Sequence, residues 1–201
     1  KLEQPLGGDG ARKLSVQLEL NEKARAKLAP GLNYYVKGPV FVDLQSGSGA
    51  SRQITADLTK ASILLDFAGW SKGPGVEAAA SFSMAQKDGR TVLSDFELSG
   101  GSFTMRGGAS LDRSGLVAAD LSRVSLVRGD NVSAQITRTK GGYDVKLAGA
   151  SLDVRAIVKK VTSSFDSAAK SVGSTGISVS ANIEKVTGFN SETLSNLKMS
   201  Y

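Results

Sequence analysis

The stretch GVEAAASFSMAQKDGRTVLSDFELS, Gly75 to Ser99, decides the fold. From Val76 to Met84 the apolar residues fall on alternate positions (Val76, Ala78, Ala80, Phe82, Met84), while Glu77, Ser81 and Ser83 point the other way. A period of two is what a strand with one buried face requires. Lys87 to Arg90 follows at once, and its Asp88-Gly89 pair is a favoured hairpin dipeptide because both central positions of a type I′ turn take positive φ. The returning segment Thr91 to Ser99 is expected to carry Val92, Phe96 and Leu98 on one face and Asp95 and Glu97 on the other.

The same alternation recurs in Leu14 to Leu20, Tyr35 to Leu44, Gln53 to Phe67, Ser102 to Leu111, Leu116 to Val127, Asn131 to Arg138 and Tyr143 to Ala150. Turns are marked by Asp112 to Gly115 and by Lys140-Gly141-Gly142. One apolar and one polar face per strand indicates antiparallel pairing, since parallel strands are covered and apolar on both sides. The expected fold class is mainly β: a large, curved, mostly antiparallel sheet with two short helices.

One helix is expected near residues 21–29, NEKARAKLA, with Asn21 as cap and Pro30-Gly31 as stop. The other is expected over residues 151–162, SLDVRAIVKKVT, with Ser151 as cap, Asp153 in the first turn and Lys159 and Lys160 in the last. Two such helices cannot cover a sheet of about eight strands. The expected organisation is a flexible lead over 1–13, a β domain over 14–162, a Ser/Gly/Ala-rich linker over 163–176 and the start of a further β segment over 177–201. The opening Lys1 and the final alternation of Leu197, Met199 and Tyr201 give the expectation of a segment cut from something longer.

Composition narrows the chemistry. The 201 residues contain no His and no Cys, which removes Ser-His-Asp triads, cysteine nucleophiles and thiolate or imidazole metal sites. The formal charge of +6, from 25 basic and 19 acidic residues, is scattered and not interleaved with aromatics, so no nucleic-acid partner is expected. The Gly-rich patches Gly7 to Gly10, Gly47 to Gly49 and Gly69 to Gly75 lack the strand-then-helix context of a phosphate loop. Asp43, Asp57, Asp66, Asp95 and Asp120 stand singly, as carboxylates of a solvated face do; paired carboxylates serving a glycosidase remain the enzymatic alternative. No enzyme activity and no cofactor is expected.

The informative feature is the apolar face. Its candidate members are Val40, Val42, Leu44, Ile54, Leu58, Val76, Phe82, Met84, Val92, Phe96, Leu98, Phe103, Met105, Ile136, Val145 and Leu147. Small residues lie among them, including Ala56, Ala78, Ala80, Gly107, Ala109, Ala134 and Gly149, and would leave voids in a closed barrel. Two arrangements stay open on this pattern: a sandwich closed by its own strands, and a bent sheet whose inner face is open to an apolar ligand.

The wording of the chain carries a resemblance. The segments LNEKARAKLAPGLNYYVKGPVFVDL (Leu20 to Leu44), ADLTKASILLDFAGWSKGPGVEAAASFSM (Ala56 to Met84), LSDFELSGGSFTMRGGASLD (Leu93 to Asp112), GGYDVKLAGASLDVRAIVKKV (Gly141 to Val161) and ISVSANIEKVTGFNSETLSN (Ile177 to Asn196) resemble the AsmA-like superfamily of bacterial envelope proteins, YhdP-type members most of all. The resemblance runs from about Leu14 to the C-terminus and lies more in the order of segments than in any one motif. It implies a taco-like β-groove in a periplasmic protein anchored to the inner membrane through other parts of a longer parent. It also implies phospholipid or another acyl-chain ligand in that groove, conducted between inner and outer membranes. Edge-strand pairing with another copy is a further expected partner mode. The alternative is a scaffolding β domain of the envelope without lipid.

Overall fold

The computed structural model describes residues 15–28, 31–46, 51–159 and 176–201. The alternating segments become two sheets. The larger has eleven strands in the spatial order β1 (Ser15–Leu20), β3 (Val40–Ser46), β4 (Arg52–Asp57), β7 (Ala78–Lys87), β8 (Arg90–Gly100), β9 (Thr104–Asp112), β10 (Gly115–Ser125), β11 (Asn131–Arg138), β12 (Gly142–Asp153), β13 (Gly176–Thr187) and β14 (Thr193–Ser200). The sheet does not close: β1 and β14 are its edges. β2 (Val36–Lys37), β5 (Ser62–Leu65) and β6 (Trp70–Lys72) make a separate three-stranded sheet.

The expected class holds: mainly β, with one large, mostly antiparallel, open sheet. The hairpin turn at Lys87 to Arg90 forms with Asp88 and Gly89 at φ 51° and 72°. Several local readings are corrected. Tyr35 to Leu44 is not one strand, because Gly38 (φ 90°) and Pro39 break it and send β2 to the small sheet. Gln53 to Phe67 likewise divides into β4 and β5, in different sheets. One pairing is parallel, β12 with β13, in the register Gly149↔Ile183, and the stretch from residue 154 to 175 is long enough for that crossover.

The first helix, α1 (Glu22–Leu28), starts as its sequence indicates, with the Asn21 carboxamide oxygen accepting the Ala24 N–H at 3.0 Å. A second short helix, α2 (Leu32–Tyr35), has no sequence signal of its own. The helix expected over 151–162 begins later. Ser151 to Asp153 end β12, paired with Lys185 to Thr187, and among the described residues the helix, here α3, covers 155–159. Asp153, not Ser151, supplies the polar group at its start by accepting the Arg155 N–H at 3.1 Å. The lead over 1–13, residues 160–162 and the linker up to residue 175 lie outside the described residues. β13 and β14 add to the same sheet as the preceding strands.

Bulges bend the sheet. The ladders slip between Leu93 and Phe96 in β8, at Leu116/Ala118 and Asp120/Arg123 in β10, and at Ala150 in β12 opposite Asn131/Val132. Each puts an extra residue on one strand and raises the local twist and curvature. Glycines face two of these points. A Cβ on Gly107 (φ 154°) would lie 2.1 Å from the Asp120 carbonyl oxygen, and one on Gly149 would lie 2.3 Å from that of Asn131.

Candidate functional site

Residues directly opposite in a ladder share a face, so the register traces the apolar side across the whole sheet. One row runs Leu18, Val42, Ala56, Ala80, Leu98, Met105, Val124, Val132, Gly149, Ile183, Leu197. A second row, closer to the hairpin turns, runs Val16, Leu44, Ile54, Phe82, then Met84, Leu93, Ala109, Ala119, Ile136, Val145, Val179. The reverse face is polar: Thr55 opposes Ser81, Ser81 opposes Glu97, and Gln135 opposes Lys146.

From Val42 to Leu197 the first row is covered, while Leu18 on the edge strand is 45% exposed. The small sheet lays Ile63, Ala61, Leu58, Leu65 and Trp70 over Val40, Ala56, Ala78, Ala80 and Leu98, with Phe103 closing the core. Trp70 meets Phe103 edge to face at 4.8 Å between centroids, a favoured aromatic geometry. A second core gathers Val132, Ala181, Ile183 and Val186 under Leu152 and Val154. The two covers meet across the sheet: a Cβ on Gly69 would lie 2.6 Å from the Ala156 carbonyl oxygen in α3. A cavity of about 230 Å³ remains at this seam, walled by Trp70, Leu126, Val127, Leu152 and Ile157.

Buried charges hold this closed end together through backbone groups. Arg25, 1% exposed, donates to the carbonyls of Leu20 (2.8 Å), Gly38 (2.5 Å) and Val36 (3.2 Å) and to the Asn33 side chain (3.0 Å). Lys72 Nζ donates to the carbonyls of Leu58 (2.5 Å), Ala61 (2.6 Å) and Thr59 (3.2 Å), and burial holds its ammonium below the usual lysine pKa against the opposing pull of Asp57. The Asp130 carboxylate accepts the amides of Val127 (3.1 Å), Leu126 (3.3 Å) and Asp153 (2.9 Å). Each supplies hydrogen bonds that buried backbone would otherwise lack.

The second row is not covered. Leu44, Ile54, Phe82, Met84, Leu93, Ile136 and Val145 are all half-buried by their own sheet neighbours and belong to neither core. Phe82 and Phe96 lie 6.4 Å apart between centroids at the border of the two rows. Among the described residues, nothing packs on this part of the face as a second layer.

The sequence-derived lining residues sort accordingly. Leu44, Ile54, Phe82, Met84, Ile136 and Val145 line the uncovered half. Val42, Phe96, Met105 and Leu147 border the cores, while Val40, Leu98, Leu58 and Phe103 are buried inside the first. Two assignments are corrected. Val76 lies exposed in the turn before β7, which starts only at Ala78. Val92 pairs with Ala85 and Ser110 on the polar side, because the bulge at Asp95 (φ 53°) reverses the alternation and brings Leu93 to the apolar face instead. The small residues also read differently. Ala56, Ala78 and Ala80 lie under the small sheet, and Gly107 and Gly149 admit close backbone, so they leave no groove-sized void.

Leu93, Leu111, Leu116 and Val179, missed from the sequence, complete the uncovered face. Two of the isolated aspartates have local structural roles: Asp43 accepts the Ser15 hydroxyl at 3.0 Å, and Asp57 accepts the Thr59 N–H at 2.8 Å. Searches of protein-family models, curated proteins and solved structures find no match to this chain.

Proposed function

We propose that the uncovered half of the apolar face holds the acyl chains of a lipid, and that the chain is a segment of a lipid-conducting β-groove. The observation that carries this reading is the second row: a line of mostly large apolar side chains across an open sheet, with no layer over it among the described residues. The row crosses the sheet from β1 to β13, and at about 4.8 Å between neighbouring strands it runs roughly 43 Å, ample for an extended chain to lie along it.

Contact of this kind is non-directional, so the site needs no catalytic residue and no ligand-specific polar group. Burial at about 0.8 kcal/mol per CH₂ retains a chain strongly in total. Each step along a face of like residues exchanges one contact for an equivalent one, which permits movement without an energy source within the groove. Net direction would come from a gradient or a partner. The resemblance to AsmA-like proteins supports a periplasmic setting, with the parent anchored in the inner membrane and the cargo a phospholipid bound for the outer membrane.

The β8 bulge supplies the discriminating experiment. Leu93→Asp and Phe82→Asp place a charge in the uncovered row, whereas Val92→Asp places the same charge one residue away on the polar face. Lipid extracted from purified protein and weighed by native mass spectrometry should be lost in the first two and kept in the third. Folded protein without lipid in every case would replace this reading with that of a scaffold whose face another part of the envelope covers.

A further inference from the structure

On the polar face, strands β8, β9 and β10 build a depression that the apolar reading does not use. Its floor has two cross-strand rows, Glu97·Arg106·Arg123 and Ser99·Thr104·Ser125. The loops containing Ser102 and Arg128 wall it, and the space is about 960 Å³.

Two features set this depression apart from an ordinary solvated strand face. First, Arg106 and Arg123 are directly opposed, with Cβ atoms about 5 Å apart, and like charges at such positions destabilise a sheet. Second, the β10 bulge between Asp120 and Arg123 is what turns Arg123 to this face; uninterrupted alternation from Leu121 would place it among the apolar side chains. Bulges recur where a site needs a side chain re-aimed. The two carboxylates nearby are committed. Glu97 pairs with Arg106 at 2.8 Å, and Asp130 is taken up by three backbone amides.

We propose that this depression binds a phosphate group, with Arg123 and Arg128 as its cationic arms, Arg106 shared with Glu97, and Ser99, Ser125 and Asn131 facing a hydroxylated remainder. Guanidinium groups match phosphate because their paired N–H donors are coplanar and fixed. The hydroxyl and amide groups of Ser99, Ser125 and Asn131 beside the arginines favour a phosphate ester of a polyol over free phosphate. That chemistry occurs both in soluble sugar or glycerol phosphates and in lipid headgroups. The proposal does not depend on the apolar face being occupied.

The test uses the full chain in low-salt buffer at matched ionic strength, with chloride as reference. Inorganic phosphate and glycerol 3-phosphate should raise the melting temperature by about 3–6 °C at ten times the dissociation constant. Arg123→Gln should weaken binding about tenfold or more, by loss of charged hydrogen bonds. Glu97→Gln, which frees Arg106, should tighten it several-fold. Arg90→Gln, equal in charge to the first variant but in the distant hairpin turn, should leave it unchanged. If Arg123→Gln does not fold, Arg128→Gln takes its place.

Phosphatidylglycerol vesicles separate the sources. Arg123-dependent binding to vesicles assigns the site to membrane headgroups, and binding of glycerol 3-phosphate without vesicle binding assigns it to soluble esters. No stabilisation beyond chloride, or an equal loss in Arg90→Gln, overturns the proposal.

Discussion

Two rows of side chains cross the same face of the same sheet, one from Val42 to Leu197 and the other from Leu44 to Val179, and among the described residues only the first is covered. Their compositions differ little, since each mixes aliphatic and small residues. What separates them is the chain that folds back over the first: β2, β5 and β6 on one side, and the segment from Leu152 into α3 on the other. Apolar alternation states that a face avoids water; it does not state what covers that face. A sheet can therefore end one half in a protein core and leave the other half for a ligand.

The largest expected effect tests that division with one substitution in both rows. Ile183 is fully buried and Ile136 is half-exposed on neighbouring parts of the face. Ile183→Ala removes packed atoms and leaves a cavity, so it should cost about 3–4 kcal/mol in urea unfolding. Ile136→Ala removes atoms that nothing overlies and should cost about 1 kcal/mol. Equal losses would mean that the second row is covered in solution, and the open-groove reading would fail with it.

Arg25 offers a way to extend the uncovered half. Its guanidinium ties α1 to the end of β1, to α2 through Asn33 and to the entry of β3, and every bond it makes is to a neutral oxygen. Arg25→Ala strands carbonyls at the closed end and should cost about 2–3 kcal/mol. Loosening this cover should also raise binding of a hydrophobic dye. Arg25→Lys should recover only part of the loss, because a single ammonium cannot reach carbonyls arranged around a planar fork. A destabilised variant with unchanged dye binding would show that Arg25 supports α1 alone.

The sequence displays whatever has a local cause. The hairpin at Asp88-Gly89 and the start of α1 at Asn21 follow from dihedral preference and capping, and both are legible in a few residues. The face of Val92 is not legible, because one left-handed residue, Asp95, inverts everything on one side of it. The small sheet is hidden for another reason: Val36 and Ile63 alternate as well as their neighbours do, and only tertiary pairing sends them to a different layer. Leu152 and Ala156 have helical spacing, yet the parallel ladder to β13 recruits residues up to Asp153 first. The lining of the uncovered half was thus readable where strands run unbroken, at Leu44, Ile54, Phe82, Met84, Ile136 and Val145. It was lost at bulges and layer changes.

The smallest expected effect compares the two ends through their ion pairs. Asp112 binds Arg138 beside the hairpin turns, and Asp153 binds Arg155 at the closed end. In each, the arginine side chain and then a backbone amide hold the carboxyl below its ordinary value of 3.8. A carboxyl with a lower pKa in the folded state binds fewer protons there than in the unfolded chain, so stability falls as pH drops below about 3.8. Above that value both states are ionised and neither pair contributes pH dependence. Urea midpoints between pH 5 and pH 3 should therefore fall less steeply in Asp112→Asn and in Asp153→Asn than in the parent. The readouts should differ in kind. Asp153→Asn loosens the start of α3 and with it the seam at Gly69, so dye binding at pH 5 should rise. Asp112→Asn alters only the margin of a face that is already open, so dye binding there should stay level. Equal dye responses would erase the distinction between a covered and an uncovered end.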